Sequence, residues 1–293
     1  MSGAEGSYYL PEPSKWPVIT SIGLFFLAAG FVMLINDVAA GPWSMLLGAA
    51  IIISMMFSWF GQVIGESEGG RYNEQVDMSF RLGMGWFIVS EVMFFAAFFG
   101  ALFYVRNFSV DWLAHTDLLW PGYEGGWPTA GPLGQEMLPH GEMPANTMSQ
   151  FTPMGAWGIP AINTLLLLSS GVTITISHWG VKKENRGQAI VWMLLTVVLG
   201  AIFLSLQAYE YSHAYHELGL TLGTGVYGAT FFMLTGFHGF HVTMGTIMLL
   251  VILFRLIKGH FTAEHHFGFE GVAWYWHFVD VVWLFLFIFV YFL

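Results

Sequence analysis

The sequence predicts an all-α membrane protein with seven transmembrane helices, and three observations carry that prediction. Of the 293 residues, 56% are apolar and only 10% charged, against roughly 25% charged residues in an average soluble domain. Seven stretches are long enough to cross a hydrocarbon core about 30 Å thick, which takes about 20 apolar residues in helical form. The nine Lys and Arg residues then fall almost entirely on one side of the bilayer once seven spans are threaded through it.

With charged residues as boundaries, the spans lie at about 17–37, 43–64, 82–105, 157–180, 188–210, 227–254 and 271–292. The polar lead before the first span lacks the cationic start and small-residue cleavage site of a signal peptide, so that span reads as a retained helix. A tight turn containing Gly41-Pro42 joins spans one and two. A polar, charged linker then runs from Glu66 to Arg81. The chain thus divides into an N-terminal helix pair (1–66), an inner linker (67–81) and a five-helix bundle (82–293) interrupted by a long outer loop (107–156). No internal repeat is visible, which weighs against transporter folds built from duplicated halves.

Lys15, Arg71, Arg81, Lys182, Lys183, Arg186, Arg255 and Lys258 all fall on the side of the N-terminus, leaving Arg106 on the other. Positively charged loops stay on the cytoplasmic side during insertion, so the N-terminus is expected there, or on the matrix side. Adding or removing one helix would scatter these charges over both sides. The helix count and the orientation therefore support each other.

The net charge of −10 resides in loops. Between Asn107 and Ala156 lie Asp111, Asp117, Glu124, Glu136 and Glu142 with no Lys or Arg. Such a loop could attract a basic soluble partner, but an acidic translocated segment is also what the insertion bias leaves behind. The runs Trp120-Pro121-Gly122 and Trp127-Pro128 suggest turns packed on aromatic rings. No basic stripe exists to neutralise phosphates, so nucleic acid is excluded as a partner. Cysteine is absent, which excludes disulfides, iron–sulfur clusters and thiolate copper centres.

An ionisable side chain inside the bilayer costs at least ~2.5 kcal/mol on insertion scales and needs a partner or a function. Glu91 lies ten residues beyond Arg81, which at 1.5 Å per residue is about 15 Å deep, near the midplane. Asp280 is similarly deep in span seven. His238 and His241 share a helix face by i, i+3 spacing, as do His277 and Asp280. Three readings are open. The imidazoles could ligate haem or metal, although a pair of stacked haems needs histidines two or more turns apart. The acids and histidines could form a proton relay. They could also be structural pairs between helices that Gly236, Gly239 and Gly245 allow to approach closely.

At the outer end of span five, Gln207, Glu210, Tyr211, His213, His216 and Glu217 form a polar cluster read as interfacial capping; its order is not the His-Glu-x-x-His of zinc proteases. Trp274, Tyr275 and Trp276 read as interfacial anchors. On the inner side, Glu66, Arg81, Arg255, Lys258 and His260 gather at span ends, a pattern that suits anionic lipid head groups or simple positive-inside bias.

The run His265-His266-Phe267-Gly268-Phe269-Glu270, with the segment from Ala273 through Phe287, resembles the cytochrome c oxidase subunit 3 family of haem-copper oxidases. So do Gly236-Phe237-His238-Gly239-Phe240-His241-Val242, Ser90-Glu91-Val92-Met93-Phe94-Phe95, Thr164 to Ser170 with His178, Gln207-Ala208-Tyr209-Glu210-Tyr211, and Trp16-Pro17. The resemblance runs over nearly the whole chain. It implies a subunit without a redox centre, catalytic residue or metal of its own, set beside the catalytic subunit 1 and subunit 2 of a proton-pumping oxidase. That complex passes electrons from cytochrome c to oxygen with haem a and copper in the partner subunits.

The resemblance further implies a V-shaped cleft between the helix pair and the five-helix bundle that holds phospholipid, and a role in proton uptake and in protecting the catalytic subunit. By match of motif, Glu91 is the buried functional carboxylate. Glu66, His241, Arg255, His260 and Thr262 would bind lipid, and His238, His277 and Asp280 would form structural polar pairs. Related subunits serve quinol oxidases or nitric oxide reductases, and the quinol type usually lacks the first two helices; their presence favours the cytochrome c type. An independent membrane transporter is the alternative outside the family. The expected location is a bacterial inner membrane with the C-terminus periplasmic.

Overall fold

The computed structural model describes residues 9–11, 13–116, 118–121, 123–132 and 151–293. Asp117, Gly122, Glu136 and Glu142 of the outer loop lie outside the described residues. The described chain is helical, with α1 (Trp16–Ile35), α2 (Gly41–Glu68), α3 (Glu74–Tyr104), α4 (Val110–Ala114), α5 (Ile159–Lys182), α6 (Arg186–His216), α7 (Gly225–Lys258) and α8 (Phe267–Leu286). A π turn over Val105–Ser109 joins α3 to α4, and another, Phe287–Phe292, extends α8. Among the described residues seven helices are long and apolar enough to cross a membrane.

Helix ends depart from the apolar windows in an instructive way. The polar linker is mostly helix, since α2 runs to Glu68 and α3 begins at Glu74. Asn73 caps α3 by accepting from the Val76 N–H at 3.0 Å. An apolar window marks the hydrocarbon; it says nothing of how far a helix continues beyond it into polar surroundings. Gly41-Pro42 is likewise the first turn of α2, where a fixed φ and a missing N–H cost nothing. The turn itself precedes it, with Asp37 at φ 56°.

The chain forms two compact units, residues 1–82 and 83–293. In the first, α1 and α2 meet backbone to backbone at glycines. A Cβ on Gly48 would stand 2.6 Å from the Leu27 nitrogen, and one on Gly30 would stand 2.6 Å from the Met45 nitrogen. Hydrocarbon gives helices no hydrophobic reason to associate, so close packing of small residues supplies the attraction. Exposed apolar side chains such as Phe57, Trp86 and Met93 suit a lipid solvent.

The second unit is built around α8, whose Trp276 and Trp283 are both fully buried. The Trp276 indole lies over Gly200 of α6 and Gly245 of α7, where added Cβ atoms would come within 2.9 and 2.8 Å of its ring. Its N–H donates to the Ser170 hydroxyl of α5 at 2.8 Å. Two turns on, Trp283 donates to the Thr164 hydroxyl of α5 at 2.9 Å and meets Phe203 of α6 edge-on at 4.8 Å. Expectations for this region divide. Gly245 is a close-approach glycine, whereas Gly236 has only the Tyr211 hydroxyl near it and Gly239 faces open space. Trp274 is partly exposed, but Tyr275 and Trp276 are core residues rather than interfacial anchors. Composition cannot separate a tryptophan at the headgroup level from one that finds a hydroxyl partner inside.

α5 and α6 pack antiparallel through Ser177, which donates to the Ala189 carbonyl at 2.7 Å, and a Thr173–Thr196 hydroxyl contact of 2.8 Å. The last carbonyls of α7 are met by Arg186, whose guanidinium donates to Leu256 and Ile257. Gly259, at φ 80°, ends that helix in the left-handed conformation. Arg186→Ala is expected to cost about 1–3 kcal/mol by removing the donor to Ile257, while the Leu256 carbonyl keeps the Gly259 N–H, read as a lower thermal midpoint of the detergent-solubilised chain. Described residues of the loop between α4 and α5 dock on the N-terminal end of α7: Trp127 packs edge-on to Tyr227 at 5.5 Å, and the Val226 N–H donates to the Ala130 carbonyl.

Candidate functional site

α3 and α7 place Glu91 and His241 side by side: His241 Nε2 lies 2.9 Å from Glu91 Oε2. The other ring nitrogen, Nδ1, lies 2.6 Å from the Phe237 carbonyl one turn earlier. A carbonyl only accepts, so Nδ1 carries a proton and donates. A neutral ring then has its lone pair on Nε2, facing the carboxylate. Two acceptors do not bond, so one further proton lies between them, on Glu91 or on the imidazole. The pair is a one-proton unit with no net charge, a form suited to a place in the bilayer. Phe95 meets the imidazole edge-on at 5.0 Å, and Tyr275 stacks on it at 6.3 Å. The Tyr275 hydroxyl donates to the His241 carbonyl at 3.3 Å, which holds the phenol ring beside the imidazole.

His238, one turn before His241, does not join this pair. Its Nε2 donates to the Val279 carbonyl at 3.2 Å, and the ring packs against Trp283 at 5.2 Å and Phe203 at 5.9 Å. The partner is backbone, not an acid. His277 and Asp280 face each other at 3.8 Å, too far for a direct hydrogen bond. Asp280 is buried, and a Cβ on Gly171 would lie 2.5 Å from its Oδ2, so the carboxylate occupies the space that this glycine leaves. His277 is half exposed at 46% and comes within 3.4 Å of the Thr175 hydroxyl.

Of the expected lipid-binding residues in the second unit, three lie close together in the chain and His241 lies further along α7. Arg255 packs its guanidinium over Phe261 at 4.4 Å, and the His260 N–H donates to the Arg255 carbonyl at 3.1 Å. The Thr262 hydroxyl accepts from the His265 N–H at 3.0 Å. Arg255 is in the last turn of α7, and His260 and Thr262 lie in the connection to α8. His241 lies 14 residues from Arg255 along α7, about 21 Å at 1.5 Å per residue, and belongs with Glu91 instead. In the first unit Glu66 accepts from Gln62 at 2.9 Å and from the Tyr72 hydroxyl at 2.8 Å, and Trp16 donates to Gln62. Burial, then the Glu66 carboxylate beside it, pushes the Tyr72 phenol well above its usual range.

The polar cluster at the end of α6 splits in two. His213 and Glu217 pair at 3.0 Å and the His216 ring donates to the Ser212 carbonyl at 2.8 Å, as capping requires. Glu210 points the other way; it is fully buried and accepts from the Tyr291 hydroxyl at 2.6 Å. Sequence reading missed this contact because the partner lies 81 residues away. One more constellation escaped it: His178 of α5, His266 at the N-cap of α8 and Glu270 of α8 each offer a donor atom within 4.8 Å of the others.

A family model described as cytochrome c oxidase subunit III matches residues 6–124 and 128–293. The cytochrome c oxidase subunit 3 of Chondrus crispus is 40% identical over 287 residues, covering 97% of this chain and 93% of that protein. Those of Prototheca wickerhamii (39%, 97% of each chain) and Marchantia polymorpha (40%, 97% of this chain and 95% of the relative) are similar to the same extent. The glycine-packed α1–α2 pair, the Glu91–His241 unit and the tryptophan-centred bundle thus all lie within the matched residues, and the chain is an integral membrane protein that belongs to the cytochrome c oxidase subunit III family.

Proposed function

We propose that this chain is an accessory subunit of a cytochrome c oxidase, bound beside the catalytic subunit and subunit 2, with no haem or copper of its own. The observation that carries this reading is the match to proteins of that name along 97% of the chain. The partners of the buried imidazoles support it: His238 is committed to the Val279 carbonyl and His241 to Phe237 and Glu91. Haem a and copper belong to the partner subunits in this reading. The complex oxidises cytochrome c, reduces oxygen and pumps protons. In this reading the N-terminus is cytoplasmic and the C-terminus periplasmic in a bacterial inner membrane; the clustering of Lys and Arg on one side supports the orientation.

The Glu91–His241 unit supports proton uptake in this assembly, because a carboxyl and an imidazole 2.9 Å apart can exchange their shared proton without changing the net charge of the pair. Arg255 at the end of α7, with His260 and Thr262 in the connection to α8, binds a phospholipid head group, with cation and hydroxyl partners for its phosphate.

The test is a visible spectrum of the complex purified from its native membrane, beside that of the isolated chain. A colourless chain travelling with a haem a-containing oxidase is expected; stoichiometric haem on the isolated chain overturns the reading. Glu91→Gln should leave the haem spectrum unchanged and initial electron transfer within about two-fold of wild type. Its amide can still donate to His241, so the thermal midpoint moves little, whereas Glu91→Ala strands the imidazole at a cost of about 1–3 kcal/mol.

A further inference from the structure

At one end of the second unit, three donors from two helices converge. Glu270 Oε1 lies 3.4 Å from His178 Nε2 and 3.2 Å from His266 Nε2. These separations exceed the roughly 2.7–2.9 Å of a charge-assisted hydrogen bond, and neither Nε2 has a hydrogen-bond partner although both atoms are buried. They match another geometry. Zinc bound at about 2.0–2.1 Å holds tetrahedral neighbours about 3.3 Å apart. His266, only 6% exposed, is set in the ligating form, because its Nδ1 donates to the Thr262 carbonyl at 3.0 Å and leaves the Nε2 lone pair aimed at Glu270. A lone pair and a carboxylate oxygen facing each other at this distance call for a positive occupant, either a proton or a metal ion.

We propose that His178, His266 and Glu270 form a binding site for a divalent ion of the zinc class, with two imidazoles and one carboxylate as donors and the fourth tetrahedral position left to water. The ring of Phe269 stacks on His178 at 5.3 Å and holds it toward the site. Two cations are near: the Arg255 guanidinium lies against Gly268, where an added Cβ would come within 2.9 Å of it, and Lys182, one turn beyond His178, ends α5, where a flexible side chain can turn its charge into the aqueous phase. A bound ion ties the end of α5 to the first turn of α8. The site is separate from the Glu91–His241 unit, is not a redox centre and does not depend on the proposed assembly.

The experiment is a Zn²⁺ titration of the full chain in detergent, after chelator treatment, with bound zinc measured by elemental analysis and thermal unfolding followed in parallel. One zinc per chain is expected. At a free Zn²⁺ concentration 100 times Kd, the midpoint should rise by about 4 °C. His266→Gln and Glu270→Gln should each weaken binding at least ten-fold and abolish the thermal shift, while His265→Gln, whose side chain is exposed beside the site, should leave both unchanged. If His266→Gln fails to fold, His178→Gln at the more accessible position reads the same loss. Zinc binding that is absent from the wild type, or equal in wild type and in the ligand variants, overturns the proposal and leaves a proton as the occupant.

Discussion

Trp276→Ala is expected to lower the stability of the second unit by about 3–5 kcal/mol, the range for removing a buried aromatic side chain. The loss has three parts. The indole fills the space over Gly200 and Gly245, so its removal opens a cavity between α6, α7 and α8. The Ser170 hydroxyl loses the indole N–H as a donor, although it keeps its own bond to the Leu167 carbonyl. Neighbouring helices cannot collapse onto the gap, because Trp283 holds the next layer of α8 to Thr164 and Phe203. Trp276→Phe separates the contributions, since it keeps most of the ring and loses the hydrogen bond; its cost should fall near 1–2 kcal/mol. Thermal unfolding of the two variants in one detergent checks the order, and equal losses would show that the hydrogen bond, not the packing, dominates.

Gly48→Leu is expected to separate α1 from α2. The added Cβ would meet the Leu27 nitrogen at 2.6 Å and the Gly23 carbonyl oxygen at 2.7 Å. Both are backbone atoms, so no change of rotamer relieves the clash. Overpacking of this kind costs typically about 1–3 kcal/mol, and here it removes the close contact that holds two helices together in lipid. Gly61→Leu, on the same helix with open space at its Cβ, is the control. Protease sensitivity of the turn between the helices should rise in the first variant and stay at the wild-type level in the second. Unchanged sensitivity in Gly48→Leu would mean that the pair tolerates a wider spacing.

Seven helices and the acids within them were legible because hydrocarbon is an unforgiving solvent: length, apolarity and charge placement are each constrained separately. Helix ends were less so. The α3 start at Glu74, capped by Asn73, lies in a polar segment where helix and loop have similar compositions. Burial within the bundle was also hidden. Trp274, Tyr275 and Trp276 look alike in sequence, yet one is partly exposed and two are core, because in a membrane the inside and the outside of a bundle are both apolar. The Glu91–His241 pair could be suspected from depth and residue type, whereas its proton arithmetic needed the Phe237 carbonyl. Glu210 with Tyr291, and His178 with His266 and Glu270, join residues on different helices, and no spacing within one helix reports such a meeting.

The central place of α8 has a consequence for how the protein is made. The ribosome delivers α5, α6 and α7 first, and the ring that fills the space among them arrives with the last of the seven spans. Until then Gly200 and Gly245 face a gap and the Ser170 and Thr164 hydroxyls lack their indole donors. Nascent chains at that stage are loosely packed and open to membrane proteases and to wrong helix partners. Arrival of α8 therefore acts as a completion step, after which the bundle becomes fit for assembly.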